Sequence, residues 1–453
     1  MATDVSGRVR AVSLRQVLAG SSRGGPFALI DRLSRQSRGE IIRLGLGPFR
    51  PFLVSHPEHL AHVLRGGEEN YPRGAAMWKA LGRLTGDGIA GQGPRWLASR
   101  DILRSALSAK YLHENGEQIA ASVAAGVEDL ERRLSGDRPV DAGVEMTRMV
   151  YRVINPAFFG SRFPQHDCER LGAAIAAALS SLVWRMALPG VPHAVPLPGD
   201  RAFRRANRTV DDLLHPVIGA ARRGSRDGRD LITALLNGAG ADGEPLSDDH
   251  VSDDIVALFV AGAQSSSLTL QWLWVVLSEH PEVAGRLREE ADEVLGQGPP
   301  RPEHARRLTY TQMVLSEVMR VYSMAWAVAR VAVADDVIDG VEIPAGSTVV
   351  LSPYLTHRLP DVWQRPLEFM PERFAKERVR GRHPLAYLPF GAGRHQCVGQ
   401  AFVMHEVTLI VACLMNRFEV RALNRPRPRL GMMLEPDRPV GLKLTPRRPR
   451  ATG

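Results

Sequence analysis

Near the C-terminal end of the chain a single cysteine stands in an unusual setting. The run Phe390-Gly391-Ala392-Gly393-Arg394-His395-Gln396-Cys397-Val398-Gly399 sets an aromatic residue and two glycines before one thiol and a glycine after it, just where helical periodicity resumes. A loop so poor in side chains can lie flat against a planar ligand. A cysteine at a helix N-terminus meets free N–H groups and the positive end of the helix dipole, and both favour its thiolate. A thiolate held in this way can be the axial ligand of a heme iron. One cysteine beside a turn is more often a buried structural residue; the ten-residue pattern as a whole reverses that reading.

Three further groupings set polar chemistry in apolar surroundings. Ala261-Gly262-Ala263-Gln264-Ser265-Ser266-Ser267 interrupts a long apolar stretch, and a glycine beside three hydroxyls is poor helix chemistry. It predicts a kink or a close helix crossing, or else a ligand lying against an opened turn. Glu317 and Arg320, three residues apart, share one helix face, although such a pair alone is often a surface ion pair of little worth. Trp96 and Arg100, four apart, can turn an indole N–H and a guanidinium toward one anion.

These groups need a scaffold, and the periodicity is mostly helical. Apolar residues recur at 3.6-residue spacing over Ala98–Leu112, Gln118–Leu134, Asp141–Phe159, Cys168–Met186, Arg201–Ala221, Asp249–Glu279 and Pro281–Leu295. The stretch Asp249–Glu279 is apolar nearly all round, so it should run through the core, capped by Ser247 and ended by His280-Pro281. An earlier short helix (Phe27–Gln36) and a hairpin over Ile41–Val54 precede this body. After residue 325 come short β-branched runs (Val328–Val333, Val337–Ile343, Thr348–Leu351), a Pro- and Arg-rich loop, a helix over Gly399–Arg417 and a hairpin turning at Glu435-Pro436-Asp437. The fold class is mainly α: a large helical body with a long central helix and small β-sheets. Residues 1–25 read as a flexible N-terminus, 26–445 as one domain and 446–453 as a solvated basic tail.

Composition agrees. In 453 residues, 44% are hydrophobic and 24% charged, which excludes disordered, collagen-like and disulfide-framework classes. The net charge is +9 and is carried almost wholly by arginine, scattered among acids rather than gathered in a stripe, so nucleic acid is not expected as a partner. Three cysteines (Cys168, Cys397, Cys413) suit a reducing cytoplasm. No apolar run reaches membrane-spanning length, so neither a membrane anchor nor export is expected, and a monomer is the default.

The cysteine loop resembles the heme-binding signature of the cytochrome P450 superfamily, matching it at Phe390, Gly393, His395, Cys397 and Gly399. Four more matches follow in order: Glu317-x-x-Arg320 with Arg373 of Pro371-Glu372-Arg373-Phe374, Trp96-x-x-x-Arg100, Ala261-Gly262-Ala263-Gln264-Ser265, and Glu406. The resemblance covers roughly residues 26–445. It implies the cytochrome P450 fold, heme b (iron protoporphyrin IX) as cofactor, and Cys397 as ligand of the heme iron. Phe390 and Gly391 would lie against the ring, and Trp96, Arg100, His395 and Arg330 would take the propionates. Glu317, Arg320 and Arg373 would form a structural lock, with Glu406 structural as well.

In the family an acid and an alcohol on the long helix relay protons as the O–O bond of dioxygen breaks. Here Gln264 and Ser265 stand in those places as the catalytic candidates. Ser265 keeps a hydroxyl, but Gln264 cannot ionise. The implied activity is a bacterial monooxygenase of secondary metabolism that takes dioxygen, an apolar small molecule and electrons from a ferredoxin and its NAD(P)H-dependent ferredoxin reductase. The altered pair leaves open a peroxide-dependent or non-oxidative heme-thiolate enzyme, and beyond these a non-catalytic heme or ligand-binding protein. The regions that contact substrate in the family give Met77, Trp78, Leu182, Val183, Trp184, Met186, Val260, Ala261, Ala325, Trp326 and Met433 here. These side chains are apolar, so the substrate should be uncharged. Pro196–Phe203 and the surroundings of Trp184 look like actinobacterial terpenoid hydroxylases; a terpenoid is the first expectation and a macrolide or other polyketide the second.

Overall fold

A computed structural model describes residues 9–16 and 25–447, apart from 48, 135, 137, 183, 186, 187, 189, 190, 193, 225 and 226. The expected positions Val183 and Met186 therefore lie outside the described residues.

Eleven longer helices build the body: α1 (Gly25–Gln36), α2 (Ala76–Thr85), α3 (Pro94–Ala106), α4 (Ala109–Arg133), α5 (Ala142–Phe159), α6 (Gln165–Ser181), α7 (Asp200–Arg223), α8 (Asp248–Glu279), α9 (Pro281–Leu295), α10 (Thr309–Val321) and α11 (Gln400–Arg417). Several begin on side-chain caps. Asp141 Oδ1 accepts from Gly143 N at 2.7 Å to start α5, and Ser247 Oγ accepts from His250 N at 3.2 Å to start α8. The periodic stretch expected over Ala98–Leu112 is two helices, because Ser108 adopts an extended backbone and caps α4 by accepting from Tyr111 N. Likewise α6 ends at Ser181 rather than running to Met186.

Helix α8 is the axis of the molecule. Its 32 residues would span about 48 Å, and its side chains are buried over most of its circumference against α5, α6, α7, α10 and α11. It stays helical through Ala261–Ser267, so no turn is unwound there. Ser265 Oγ donates to Ala261 O at 2.6 Å and Thr269 Oγ1 to Ser265 O at 2.8 Å, so these two hydroxyls are spent on the helix's own carbonyls.

The sheets are small. A five-stranded sheet has the order β1 (Val9–Val12), β2 (Ile41–Leu44), β3 (Phe52–Val54), β8 (Thr348–Leu351), β5 (Val328–Val331). Thus Val9–Val12, inside the segment expected to be flexible, pairs parallel with β2. The run expected as one strand over Val337–Ile343 is the hairpin β6 (Asp336–Ile338) and β7 (Val341–Ile343), split by Asp339-Gly340. The strands β10 (Pro428–Leu430) and β11 (Leu434–Pro436) turn at Gly431-Met432-Met433, not at Glu435-Pro436-Asp437. Finally β12 (Gly441–Pro446) lies between β9 (Phe418–Ala422) and β4 (Val140–Asp141). Arg447, expected in a solvated tail, instead pairs with Asp292 at 2.8 Å. Among the described residues no helix is long and apolar enough to cross a membrane.

Candidate active site

The cysteine loop is a folded turn that ends at α11. Gly391 (φ 66°) and Gly393 (φ 72°) take left-handed backbone that side chains avoid. A Cβ on Gly393 would stand 2.2 Å from Leu64 O. A Cβ on Gly391 would meet nothing within 4 Å, so that face of the loop stays open. Cys397 N donates to Phe390 O at 2.9 Å and closes the loop. The sulfur opens into an internal cavity of about 410 Å³, which Phe390, Gly391, Val398 and Phe402 also line. Burial pushes its thiol up, and the amides of Gly399 and Gln400 and the charge of Arg100 offset only part of this.

One rim of this cavity is crowded with basic side chains. Arg73, Arg100, Arg330 and His395 all line it. Burial and then the neighbouring Arg330 and Arg100 depress Arg73 to about 9, and burial depresses Arg330 to about 10. Burial, followed by Arg73 and the other guanidiniums, drives His395 down to about 2. Arg73 Nε and His395 Nδ1 are buried without a hydrogen-bond partner. The rings of Trp96 and His395 lie 4.2 Å apart, and Arg100 Nη1 donates to Gln396 O at 2.6 Å, tying α3 to the cysteine loop. Desolvated guanidiniums that repel one another and keep a buried donor unspent fit an anion that arrives from outside the chain. An open flat loop face, a sulfur and this rim together fit a planar group carrying carboxylates.

Beneath the loop, the polar groups are densely paired. Arg320 grips Glu317 through Nε–Oε2 at 2.7 Å and Nη2–Oε1 at 2.8 Å, and Arg373 Nε reaches Glu317 Oε1 at 3.2 Å. Glu317 and Arg320 are fully buried, and Arg320 also donates to the carbonyls of His357, Pro366 and Glu368. His357 continues the chain of bonds. Its Nε2 accepts from Leu388 N at 2.9 Å, so Nδ1 carries the hydrogen and faces Ser323 Oγ at 2.7 Å. Burial, then the charges of Arg320 and Arg358, hold this imidazole neutral, well below its usual value. The lock thus reaches Leu388, two residues before Phe390.

Opposite the sulfur the wall is apolar: Met77, Trp78, Val260, Ala261, Ala325 and Met433 line it as expected positions, joined by Ile89 and Phe158. Trp78 Nε1 donates to Ala329 O at 2.9 Å, which fixes its ring with Arg73 4.4 Å above it. Ser265 lines the cavity, whereas Gln264 does not; its Oε1 is buried and unpartnered. Three expected contacts lie elsewhere. Leu182 is fully buried in the helical core, Trp184 is 51% exposed on the surface, and Trp326 packs beside β10 with Nε1 on Gly431 O. Helix order along the chain places the segment but not the side that faces inward. Glu406, which also lines the cavity, is pushed up to about 8 by burial, the nearby Ser266 hydroxyl offsetting part of this, and its Oε2 has no partner.

Two residues of the site carried no sequence signal that set them apart. Arg73 sits in Tyr71-Pro72-Arg73-Gly74 and His357 in Thr356-His357-Arg358, single positions in a chain rich in arginine.

Comparison with known proteins places this geometry in context. The family model for cytochrome P450 matches residues 14–444. Pentalenene oxygenase of Streptomyces avermitilis is 27% identical over 396 residues, 87% of each chain. Cyclooctat-9-en-7-ol 5-monooxygenase of Streptomyces melanosporofaciens is 29% identical over 393 residues, 86% of this chain and 84% of that one. The crystal structure of the cytochrome P450DA heme domain superposes with a TM-score of 0.86 at 25% identity, covering 98% of both chains.

Proposed function

The chain belongs to the cytochrome P450 family and is a cytochrome P450 monooxygenase, and we propose that it hydroxylates an apolar terpenoid in bacterial secondary metabolism. Heme b would occupy the cavity, with Cys397 holding its iron and Arg73, Arg100, Arg330 and His395 its propionates. Bound there, the heme-thiolate supplies the activation of dioxygen. The chain does the rest. It excludes water behind Trp78, Phe158 and Met433, and it orients the substrate by shape.

The observation that carries the substrate class is the state of the wall. Its hydroxyls, Ser265, Thr269 and Thr85, each donate to a carbonyl of their own helix. An uncharged hydrocarbon leaves none of these three hydroxyls unpaired, and among the described residues the ionisable groups that line the cavity are those of the propionate rim, Cys397 and Glu406. The relatives named for terpenoid oxidations support the same class.

Proton handling falls to Ser265. Its Oγ–H rests on Ala261 O; once a water donates to that oxygen, rotation of the hydroxyl off the carbonyl lets it pass its own proton into the cavity. Gln264 does not ionise, and it does not line the cavity. Electrons would come from a ferredoxin and ferredoxin reductase drawing on NAD(P)H.

Titrating the ferric protein with a panel of sesquiterpene and diterpene hydrocarbons, macrolides and fatty acids tests the class. A substrate-type spin-state shift with the terpenes, followed by a hydroxylated product in the presence of ferredoxin, reductase and NAD(P)H, is expected. A shift with macrolides alone would transfer the enzyme to the polyketide class. Product formed without any electron source would remove the monooxygenase route.

A further inference from the structure

The loop between α2 and α3 is held by the backbone of one residue from both sides. Ile89 N–H donates to Asp254 Oδ1 at 2.6 Å, and Ile89 C=O accepts from Arg73 Nη1 at 3.2 Å. The side chain of Ile89, with Ala90, lines the cavity. Asp254, on α8, is fully buried, and its second oxygen accepts from Ser99 Oγ at 2.6 Å. Ser99 lies on α3 between Trp96 and Arg100, and its hydroxyl also meets His250 Nε2 at 2.8 Å. The loop comes this close because it has glycines. A Cβ on Gly86, whose φ is 54°, would stand 1.9 Å from Asp253 Oδ2, and one on Gly88 2.1 Å from Asp254 Oδ1.

We propose that Asp254 is a positioning residue that joins the substrate wall at Ile89 to the propionate-facing helix α3, so that the two are set by one carboxylate anchored on the helix that bears Ser265. This rests on reading the cavity as a heme and substrate site. A buried carboxylate adds no net stability over a well-packed apolar residue, so its use here is geometric. The groups that face it are His250 and Asp253 on α8 and Ser99 and Arg95 on α3, while Asp249 on α8, Asp87 in the loop and Asp211 of α7 act on Asp253. Burial pushes Asp254 up to about 6. From about pH 4 to about pH 6 the folded protein keeps a proton that the unfolded chain has released, so stability falls as pH rises through that window.

The test uses the purified holoenzyme and 4-phenylimidazole, which reports the iron from the substrate side. Asp254→Ala should weaken its binding about tenfold, the loss of a charge-assisted hydrogen bond, and speed amide exchange over residues 86–91. Heme content and the thiolate-type spectrum of the reduced carbon monoxide complex should be retained. Asp254→Asn, whose amide can still accept from Ile89 N, should restore affinity to within about twofold and should gain stability over the parent as pH rises from 4 to 6. Equal affinity and exchange in Asp254→Ala and parent overturn the proposal. If Asp254→Ala does not accumulate, Ser99→Ala decides: unchanged azole affinity and unchanged exchange overturn it there. A parent protein without the thiolate-type spectrum would instead overturn the heme reading, a distinct outcome.

Discussion

The two sides of the cavity are built on opposite plans. On the cysteine side, polar groups are buried in numbers and most are answered: Glu317, Arg320, Arg373 and His357 share one continuous set of bonds that ends at the backbone before Phe390. On the wall opposite, the hydroxyls turn away and apolar side chains face the space. The contrast follows from what each must hold. A metal ligand has to stay within a fraction of an ångström of one place, which directional hydrogen bonds enforce. A hydrocarbon offers no atoms for such bonds, so shape and flexible side chains such as Met77 and Met433 must serve.

Breaking the cysteine side should have the largest effect. Cys397→Ser is expected to reduce oxygenation to background and to remove the thiolate-type band of the reduced carbon monoxide complex. A retained band would place the ligand at another residue. Next comes Arg320→Ala. It leaves Glu317 buried with only Arg373 and the Met370 amide, and should cost about 3–5 kcal/mol, measured by chemical denaturation, with heme loss following. A shift under 1 kcal/mol would show that the lock is dispensable.

The opposite side should respond through chemistry rather than stability. Ser265→Ala removes the one cavity-lining hydroxyl at the position of the family's alcohol. Folding should hardly change, while product per NAD(P)H consumed drops by about an order of magnitude and peroxide release rises. Gln264→Glu, which restores an ionisable group, should raise that yield. If neither variant moves the ratio, protons reach dioxygen by a route that avoids α8.

How much could be read beforehand differs in the same way. Cys397, the Glu317–Arg320 pair and the Trp96–Arg100 pair were legible because their chemistry is written in short, fixed spacings. The helical body was legible from its period, including the span of α8 to within one residue. Arg73, His357 and Asp254 were not, since each acquires its role from a partner more than a dozen positions away. Leu182, Trp184 and Trp326 show the converse failure: apolar type and chain order suggested cavity contacts, but the rotation of a helix end decides burial, and nothing local encodes it. The same limit explains the missed strand Val9–Val12, whose partner Ile41–Leu44 lies some thirty residues on.

The pH dependence of stability should differ in sign between the two sides. His357 is buried neutral, below its unfolded value of 6.5. The unfolded chain therefore gains a proton that the fold refuses, and stability present above pH 6.5 is lost as pH falls, by about 1.4 kcal/mol per unit for one proton. Asp254 does the reverse between about pH 6 and about pH 4, its folded form keeping a proton that the unfolded form lacks. In the parent protein the two contributions oppose each other in that window. His357→Gln keeps an acceptor for Leu388 N but does not titrate, so relative to the parent it should gain stability on acidification. Asp254→Asn should lose stability relative to the parent over the same range. Denaturation midpoints of both variants, measured against the parent at pH 4, 5, 6 and 7, separate the contributions. Two curves of the same sign would mean that one of these buried groups changes its protonation together with its neighbours, His250 or Asp253 on the wall side and Arg320 or Arg358 on the cysteine side.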